Sequence, residues 1–290
     1  MVSSQVVVVG SLNHDSRIEV VRRPNPGETV LAESQAWGHG GKGGNQAVAA
    51  ARAGARVRMV GAIGDDDAGT AQLEELAAFG VDVSGVRRVL GRATGRATIV
   101  VTPDGENSII VLPGANALVD PGTPDAYRDA AIVVVQTEIG VQPAERAAEA
   151  AIAAGARLVV NAAPVVPAPS PLYAHADPLI VNEHEAVEIA PDCQEASPER
   201  MAELLRAASG ARSVVITLGA RGCVVGDETA VVRTPPVDGV VDTTGAGDTF
   251  VGALAAGLAN GATLREAAVR ASQDAGRCVQ WFGARPQPTT

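Results

Sequence analysis

Aromatic side chains make up only 2% of the 290 residues, so large rings cannot build the core. Val, Ala, Leu and Ile must fill it instead, and hydrophobic residues reach 46%. That palette suits parallel strands buried on both faces. Cysteine is scarce too. Cys193, Cys223 and Cys278 are odd in number and scattered, with neither a metal-ligand spacing nor a paired framework, which points to reduced thiols in a cytosol. No apolar run reaches the ~20 residues that span a bilayer. The N-terminus enters Val6–Val9 without a basic lead, so no signal peptide is expected. Positive charge is also short. The formal net charge is −10, with no basic stripe, which argues against a nucleic-acid-binding surface. Lysine is nearly missing: Lys42 is the only one, and its place in a glycine-rich loop favours a functional role over chance.

What is present is a β/α alternation. Val6–Gly10 reads as a buried strand, followed by a polar turn at Ser11–Asp15. Loose alternation from Ile18 to Ala36, broken by a turn at Pro24–Gly27, suggests exposed strands; Gly38–Gly44 reads as a loop and Asn45 to Ala53 as a helix stopped by Gly54. Val57–Val60 is a further strand and Gly69 to Phe79 a helix. Thr94–Thr102 and Ser108–Leu112 flank a hairpin turn at Pro103–Asn107.

From Asp120 onward, strands are expected at Ala131–Gln136, Arg157–Asn161, Pro178–Val181 and Ser213–Leu218. Helices are expected at Pro143–Ala154, Glu183–Ile189, Pro198–Ser209, Thr244–Asn260 and Leu264–Val279, with a late hairpin at Val224–Gly226 and Ala230–Arg233. This order predicts a doubly wound, mostly parallel sheet. The segments near 16–37 and 94–112 do not fit the alternation and are placed in a small β-sheet lid, within a single domain spanning 1–290.

Two glycine-rich segments carry the chemistry. In Asp242-Thr243-Thr244-Gly245-Ala246-Gly247-Asp248-Thr249-Phe250, small residues run into a helix. Orphan N–H groups and the helix dipole there form an anion site. Asp248 would repel a bound phosphate, yet it makes sense as a general base for an incoming hydroxyl; it could also simply complement the helix dipole. The segment is neither a Walker A loop nor a GxGxxG fingerprint. The second, Gly40-Gly41-Lys42-Gly43-Gly44-Asn45-Gln46-Ala47, is either a flexible connection or a grip for hydroxyls or phosphate. Asn13 and Asp15 follow the first strand, where α/β sheets collect ligands.

With both segments in hand, the chain resembles the ribokinase family of sugar and nucleoside kinases, also called PfkB-type. The similarity covers nearly the whole chain. It includes Gly10–Asp15, Pro26–Val30, Gly40–Ala50, Gly114-Ala115-Asn116, Asn182-Glu183-His184-Glu185, Thr217–Gly222 and Asp242–Phe250. It implies a three-layer α/β/α fold with a β-sheet lid, and ATP-dependent phosphorylation of the primary hydroxyl of a free sugar, D-ribose first. Rivals are kinases of the same family acting on fructose, deoxyribose or a nucleoside such as adenosine, and a non-catalytic sugar or nucleotide sensor. The scarcity of aromatic platforms for a base favours a free sugar.

By this resemblance Asp248 is the base, and backbone amides of Gly245, Ala246 and Gly247 form the anion hole. Asn13, Asp15, Gly41, Lys42, Asn45 and Glu138 match ribose-contacting positions, although Glu138 could also be an exposed loop carboxylate. Asn182 and Glu185 match a motif that handles Mg2+ and phosphate; the same pair would make a helix capping box. Thr217, Gly219 and Gly222 match the nucleotide-binding strand end and turn, and Ser272 stands near the adenine, where some relatives carry His. Asp242, Thr244, Cys278, Trp281, Gly283 and Gln287 match a monovalent-cation (K+) site, Gln287 replacing a more usual Ser. The resemblance further implies a homodimer through the lid sheet, and the stop soon after Pro288 leads us to expect that a final helix common in the family is missing.

Overall fold

The computed structural model describes residues 5–104, 107–226, 230–232 and 238–286. The strands are β1 (Gln5–Val9), β2 (Asn13–Val20), β3 (Ala32–Gly40), β4 (Arg56–Gly64), β5 (Asp82–Val89), β6 (Arg96–Val101), β7 (Asn107–Leu112), β8 (Ala130–Gln136), β9 (Arg157–Asn161), β10 (Leu179–Asn182), β11 (Val214–Thr217), β12 (Cys223–Val225) and β13 (Ala230–Val232). The α-helices are α1 (Lys42–Arg52), α2 (Asp67–Ala78), α3 (Val141–Ala153), α4 (Pro171–Ala174), α5 (Glu183–Ile189), α6 (Pro198–Ser209), α7 (Ala246–Ala259) and α8 (Leu264–Cys278).

Among these residues the main sheet has nine strands in the order β13-β12-β11-β10-β9-β8-β1-β4-β5. It is parallel from β11 to β5, while β12 and β13 add antiparallel pairs at one edge. A separate four-stranded sheet has the order β3-β2-β6-β7.

The valine runs explain the central strands. In β1, Val6 and Val8 enter one core cluster and Val7 and Val9 the other, the period-2 alternation of a strand covered on both sides. Helices α3 to α6 supply the first layer through residues such as Ala147, Leu172, Ala186 and Leu205. Helices α1, α2, α7 and α8 supply the second through Val48, Leu76, Leu254 and Ala268. The result is the expected α/β/α sandwich. No helix among the described residues is long and apolar enough to cross a membrane.

Three local expectations change. Asn13–Asp15 is the start of β2, not a turn. The strand Asp82–Val89 was not foreseen: it is an edge strand with one wetted face and Gly85 within it, so its apolar alternation is faint. Helix α1 begins at Lys42, so Gly43 and Gly44 are helical, not loop. Their glycines serve close approach. A Cβ on Gly43 would stand 2.6 Å from the Gly10 carbonyl carbon, and one on Gly44 would stand 2.2 Å from an Arg285 guanidinium nitrogen. Of the two expected hairpin turns, residues 105–106 and 227–229 lie outside the described residues, as does Arg233.

Helices α1 and α7 pack closely because Gly252 has no side chain: a Cβ there would lie 2.4 Å from the Gln46 carbonyl oxygen and 2.7 Å from the Ala49 Cβ. Forcing volume into such a contact costs about 1–3 kcal/mol. Gly252→Val is therefore expected to lower the unfolding free energy measured by chemical denaturation by that order, and unchanged stability would show that the helices are not in fixed contact.

Candidate active site

In the main sheet, β1 has β8 on one side and β4 on the other, so chain connections depart in opposite directions from it. A cleft forms outside the carboxyl ends of the strands at such a switch point. The last residues of β8, β9, β10 and β11 are Gln136, Asn161, Asn182 and Thr217, a polar row ending apolar strands. A cleft of about 520 Å³ opens beside this row. Lys42, Asn182, Glu185, Thr217, Gly219, Gly245, Gly247 and Asp248 line it.

Asp248 lies in the first turn of α7 and is 9% exposed. Gly245 precedes the helix at φ +78°, and no side chain caps the helix start. A Cβ on Gly245 would strike Ala284 at 2.6 Å. The Ala246 N–H donates to the Thr243 carbonyl at 3.3 Å. Both oxygens of Asp248 are held from α1: Asn45 Nδ2 donates to Oδ2 at 2.9 Å, and Gln46 Nε2 to Oδ1 at 3.0 Å. Gln46 Nε2 also donates to Asn161 Oδ1 at 3.0 Å, and Gln136 Nε2 donates to Gln46 Oε1.

The second group of predicted residues gathers on the near side of the second sheet. Glu138 is no free loop carboxylate: its Oε2 accepts from the Ser11 hydroxyl and, at 3.1 Å, from the Lys42 N–H. Gly41 caps α1 at φ +84°, a conformation that favours glycine. Asn13 Oδ1 accepts from Asn116 Nδ2 at 2.8 Å. Asp15 Oδ1 accepts from the Ala97 N–H at 3.1 Å. Burial pushes the Asp15 carboxyl up to about 7, helped by the nearby Glu138 and Asp248. Lys42 is held above the ordinary lysine range, chiefly by Asp248 and then by Glu138 and Glu185. His14 alternates to the other sheet face and stacks on Trp37 with ring centroids 5.2 Å apart.

On the far wall the capping box forms: Asn182 Oδ1 accepts from the Glu185 N–H at 2.8 Å, and Glu185 Oε2 accepts from the Asn182 N–H at 2.7 Å. The same residues line the cleft, and burial raises the Glu185 carboxyl. Gly222 closes the turn that follows Thr217, its N–H donating to the Gly219 carbonyl at 3.1 Å. The structure does not bring Ser272 to the cleft wall; it is buried 3.9 Å from the Cys223 sulfur.

Asp242, Thr244 and Gly283 do come together. Asp242 Oδ1 accepts from the Thr244 N–H at 2.9 Å and Oδ2 from the Gly283 N–H at 3.0 Å. Burial works against its charge, but these bonds, a third from the Thr244 hydroxyl and the Arg17 guanidinium keep Asp242 below the usual range. Cys278 Sγ sits 3.8 Å from the Thr244 carbonyl oxygen, and Trp281 lies under Arg52 at 5.0 Å. Gln287 lies outside the described residues.

Sequence reasoning missed several residues that hold this site. Gln46 lies within the glycine-rich segment Gly40–Ala47, beside Asn45, so its place in the sequence is a signal for it. Gln72, Gln136 and Asn161 are buried polar groups scattered along the chain, and only the fold joins them. Arg285 carried no signal: it is one arginine among many, yet it is 8% exposed and its Nε donates to Asn45 Oδ1 at 2.9 Å.

Comparison with known proteins finds relatives along the whole chain. Ribokinase of Bacillus subtilis is 36% identical over 286 residues, covering 97% of this chain and 94% of that protein. Ribokinase of Schizosaccharomyces pombe is 34% identical over 296 residues, covering 96% and 93%. Among solved structures, Arabidopsis thaliana ribokinase complexed with ribose and ATP superposes with a TM-score of 0.88 at 32% identity, covering 98% of this chain and 95% of that one. Residues 3–290 match the pfkB family carbohydrate kinase, and the chain therefore belongs to that family of sugar kinases.

Proposed function

We propose that this kinase phosphorylates D-ribose at its primary hydroxyl with ATP, giving D-ribose 5-phosphate and ADP. The observation that carries the reading is the carboxylate of Asp248 at the uncapped N-terminus of α7, inside a cleft it shares with Lys42. The relatives described above are ribokinases, and one was solved with ribose and ATP.

In this reading Asp248 accepts the proton of the sugar hydroxyl, whose oxygen then attacks the γ-phosphorus as the bond to the departing ADP oxygen breaks. Asn45 and Gln46 aim the carboxylate. The amides of Gly245, Ala246 and Gly247 meet the charge on the migrating phosphoryl, the Ala246 N–H turning from the Thr243 carbonyl, and the Lys42 ammonium adds positive charge. Such a site works by positioning and charge stabilisation. Asn13, Asp15, Gly41 and Glu138 hold the sugar, and Asn182, Thr217, Gly219 and Gly222 the nucleotide. Ser272 has no contact role here, since it is turned to Cys223.

Glu185 fits a magnesium ion: it is a half-buried cleft carboxylate with one oxygen outside the capping box, and a divalent cation would offset its desolvation. Mg2+ there would screen phosphate charge. The loop of Asp242, Thr244 and Gly283 would hold a monovalent cation such as K+ in this reading, with the Cys278 and Trp281 carbonyls as further oxygen donors. The second sheet serves as the lid of a single domain, and an exposed apolar run, Ile109 to Leu112 on its edge strand β7, suits a homodimer contact.

Asp248→Asn should keep D-ribose affinity within a few-fold while kcat falls by roughly 100-fold or more, a base contributing about 10²–10⁴; near-normal turnover would remove Asp248 from its role. A faster rate on adenosine than on ribose would replace the substrate.

Asp15 yields a pH dependence. A carboxyl with its pKa near 7 accepts from sugar hydroxyls with both oxygens, and with full charge, only when ionised; protonation turns one oxygen into a donor. Ribose affinity is therefore gained as pH rises through about 7, and KM should climb by up to about tenfold per pH unit below it. Asp15→Asn should bind more weakly with a flat profile; an unchanged slope in that variant would assign the titration elsewhere.

For assembly, light scattering should give a dimer that Ile110→Lys converts to monomer. A monomer at all concentrations in the unaltered protein would dismiss the interface.

A further inference from the structure

Arg285 is a fully buried guanidinium in the segment after α8, and the phosphoryl-transfer chemistry does not use it directly. All three of its nitrogens donate. Nε donates to Asn45 Oδ1 at 2.9 Å, one terminal nitrogen to Gln72 Oε1 at 2.8 Å and to Glu75 Oε2, and the other to the Gly40 carbonyl at 2.9 Å. Glu75 compensates its charge.

These bonds dictate the orientation of two side-chain amides. An amide presents one acceptor and one donor end. Because Arg285 can only donate, Asn45 must turn Oδ1 toward it, which leaves Nδ2 facing Asp248 Oδ2 at 2.9 Å. Flipping Asn45 would set two donors face to face at Arg285 and two acceptors face to face at Asp248. The same logic fixes Gln72. Its Oε1 is taken by Arg285, so its Nε2 donates to the Asn13 carbonyl at 2.6 Å and the Gly40 carbonyl at 3.0 Å. Asn13 and Gly40 are paired across β2 and β3, at the root of the strand that carries Asp15.

We propose that Arg285 is a positioning residue for phosphoryl transfer: it locks the Asn45 amide in the one orientation that aims the Asp248 carboxylate and, through Gln72, fixes the root of the sugar-binding strands. The proposal rests on the reading of Asp248 as the base. Arg285 touches no reacting atom. Its contribution is the alignment of a group that does, and misplacement by an ångström can cost up to roughly 100-fold in rate.

A purely structural arginine would behave differently, and the buried pair with Glu75 allows the distinction. Removing one member leaves an unpaired buried charge, whereas replacing both by apolar side chains restores stability. Arg285→Met combined with Glu75→Met is expected to recover the Tm lost in Arg285→Met alone, while kcat stays about 10–100-fold low and KM for ATP stays within about twofold. Arg285→Lys keeps the charge without the fork and should show the same kcat loss at near-normal Tm. Placing Arg285→Lys on Asn45→Ala should add little further loss, since the two act through one contact.

The proposal is overturned if kcat recovers with Tm in the double variant, if Arg285→Lys turns over normally, or if its loss multiplies fully with that of Asn45→Ala. Should both methionine variants fail to fold, Arg285→Lys and its pairing with Asn45→Ala decide alone. Asp248→Asn, assayed alongside, separates the two claims. Activity in Asp248→Asn defeats the assignment of the base. Inactivity there with full activity in Arg285→Lys defeats only the positioning role.

Discussion

A carboxylate in a half-closed cleft keeps one orientation only if something donates to it, and in this fold the donors come from another helix. Asn45 and Gln46, adjacent in the first turns of α1, reach across to the two oxygens of Asp248 at the start of α7, from 203 and 202 residues away in sequence. Adjacent helical side chains diverge by about 100°, so both can meet one carboxylate only if α7 lies close against α1. Gly252 allows that approach by leaving room for the Gln46 carbonyl, and Gly43 by letting α1 touch the β1 exit at Gly10. The small-residue character of the chain is thus a condition of the site. A core rich in large rings would hold these helices farther apart.

The polar groups around this contact form one connected set. Gln136 fixes Gln46, Gln46 bridges to Asn161, and Arg285 fixes Asn45. Asn45 and Gln46 are thereby satisfied at both ends and held in one orientation, while the buried Gln136 Oε1 has no partner among the described residues. Buried networks of this kind are costly when incomplete and rigid when complete. The strand ends supply two of its members, because β8 and β9 stop their apolar runs with Gln136 and Asn161. Rigidity here has a chemical use, since a base already held in its productive orientation needs no reorganisation to meet the hydroxyl.

How much of this could be read beforehand follows from sequence distance. Asp248 and its glycines lie within one continuous stretch, and their chemistry follows from the helix start alone. Asn182 and Glu185 are three apart, so the capping box was legible, and the structure contains it without removing Glu185 from the cleft. Lys42–Gly44 read as loop because glycine disfavours helices; tertiary contact overrides that preference where a Cβ would collide. The edge strand β5 was invisible because half of its pleat faces water. Arg285 was illegible for another reason: its partners come from α1, α2 and the end of β3, and no local pattern in a chain whose positive charge is nearly all arginine marks one as buried.

The joint between the two sheets bears on how the site could close. Strands β2 and β3 leave the main body at Asn13 and Gly40, and a single nitrogen, Gln72 Nε2, holds both carbonyls. Asp15 is only two residues beyond this clamp, with its carboxylate against Gly40, where a Cβ would fall 1.9 Å from Oδ2. A swing of the second sheet would therefore have to bend beyond Asp15. The far ends of the strands would move, while the Asp15 carboxylate stayed fixed relative to α1 and Asp248. On that geometry Asp15, Asn45 and Asp248 are organised together at the main body, and motion of the outer part of the sheet would change the cover over the cleft without moving them.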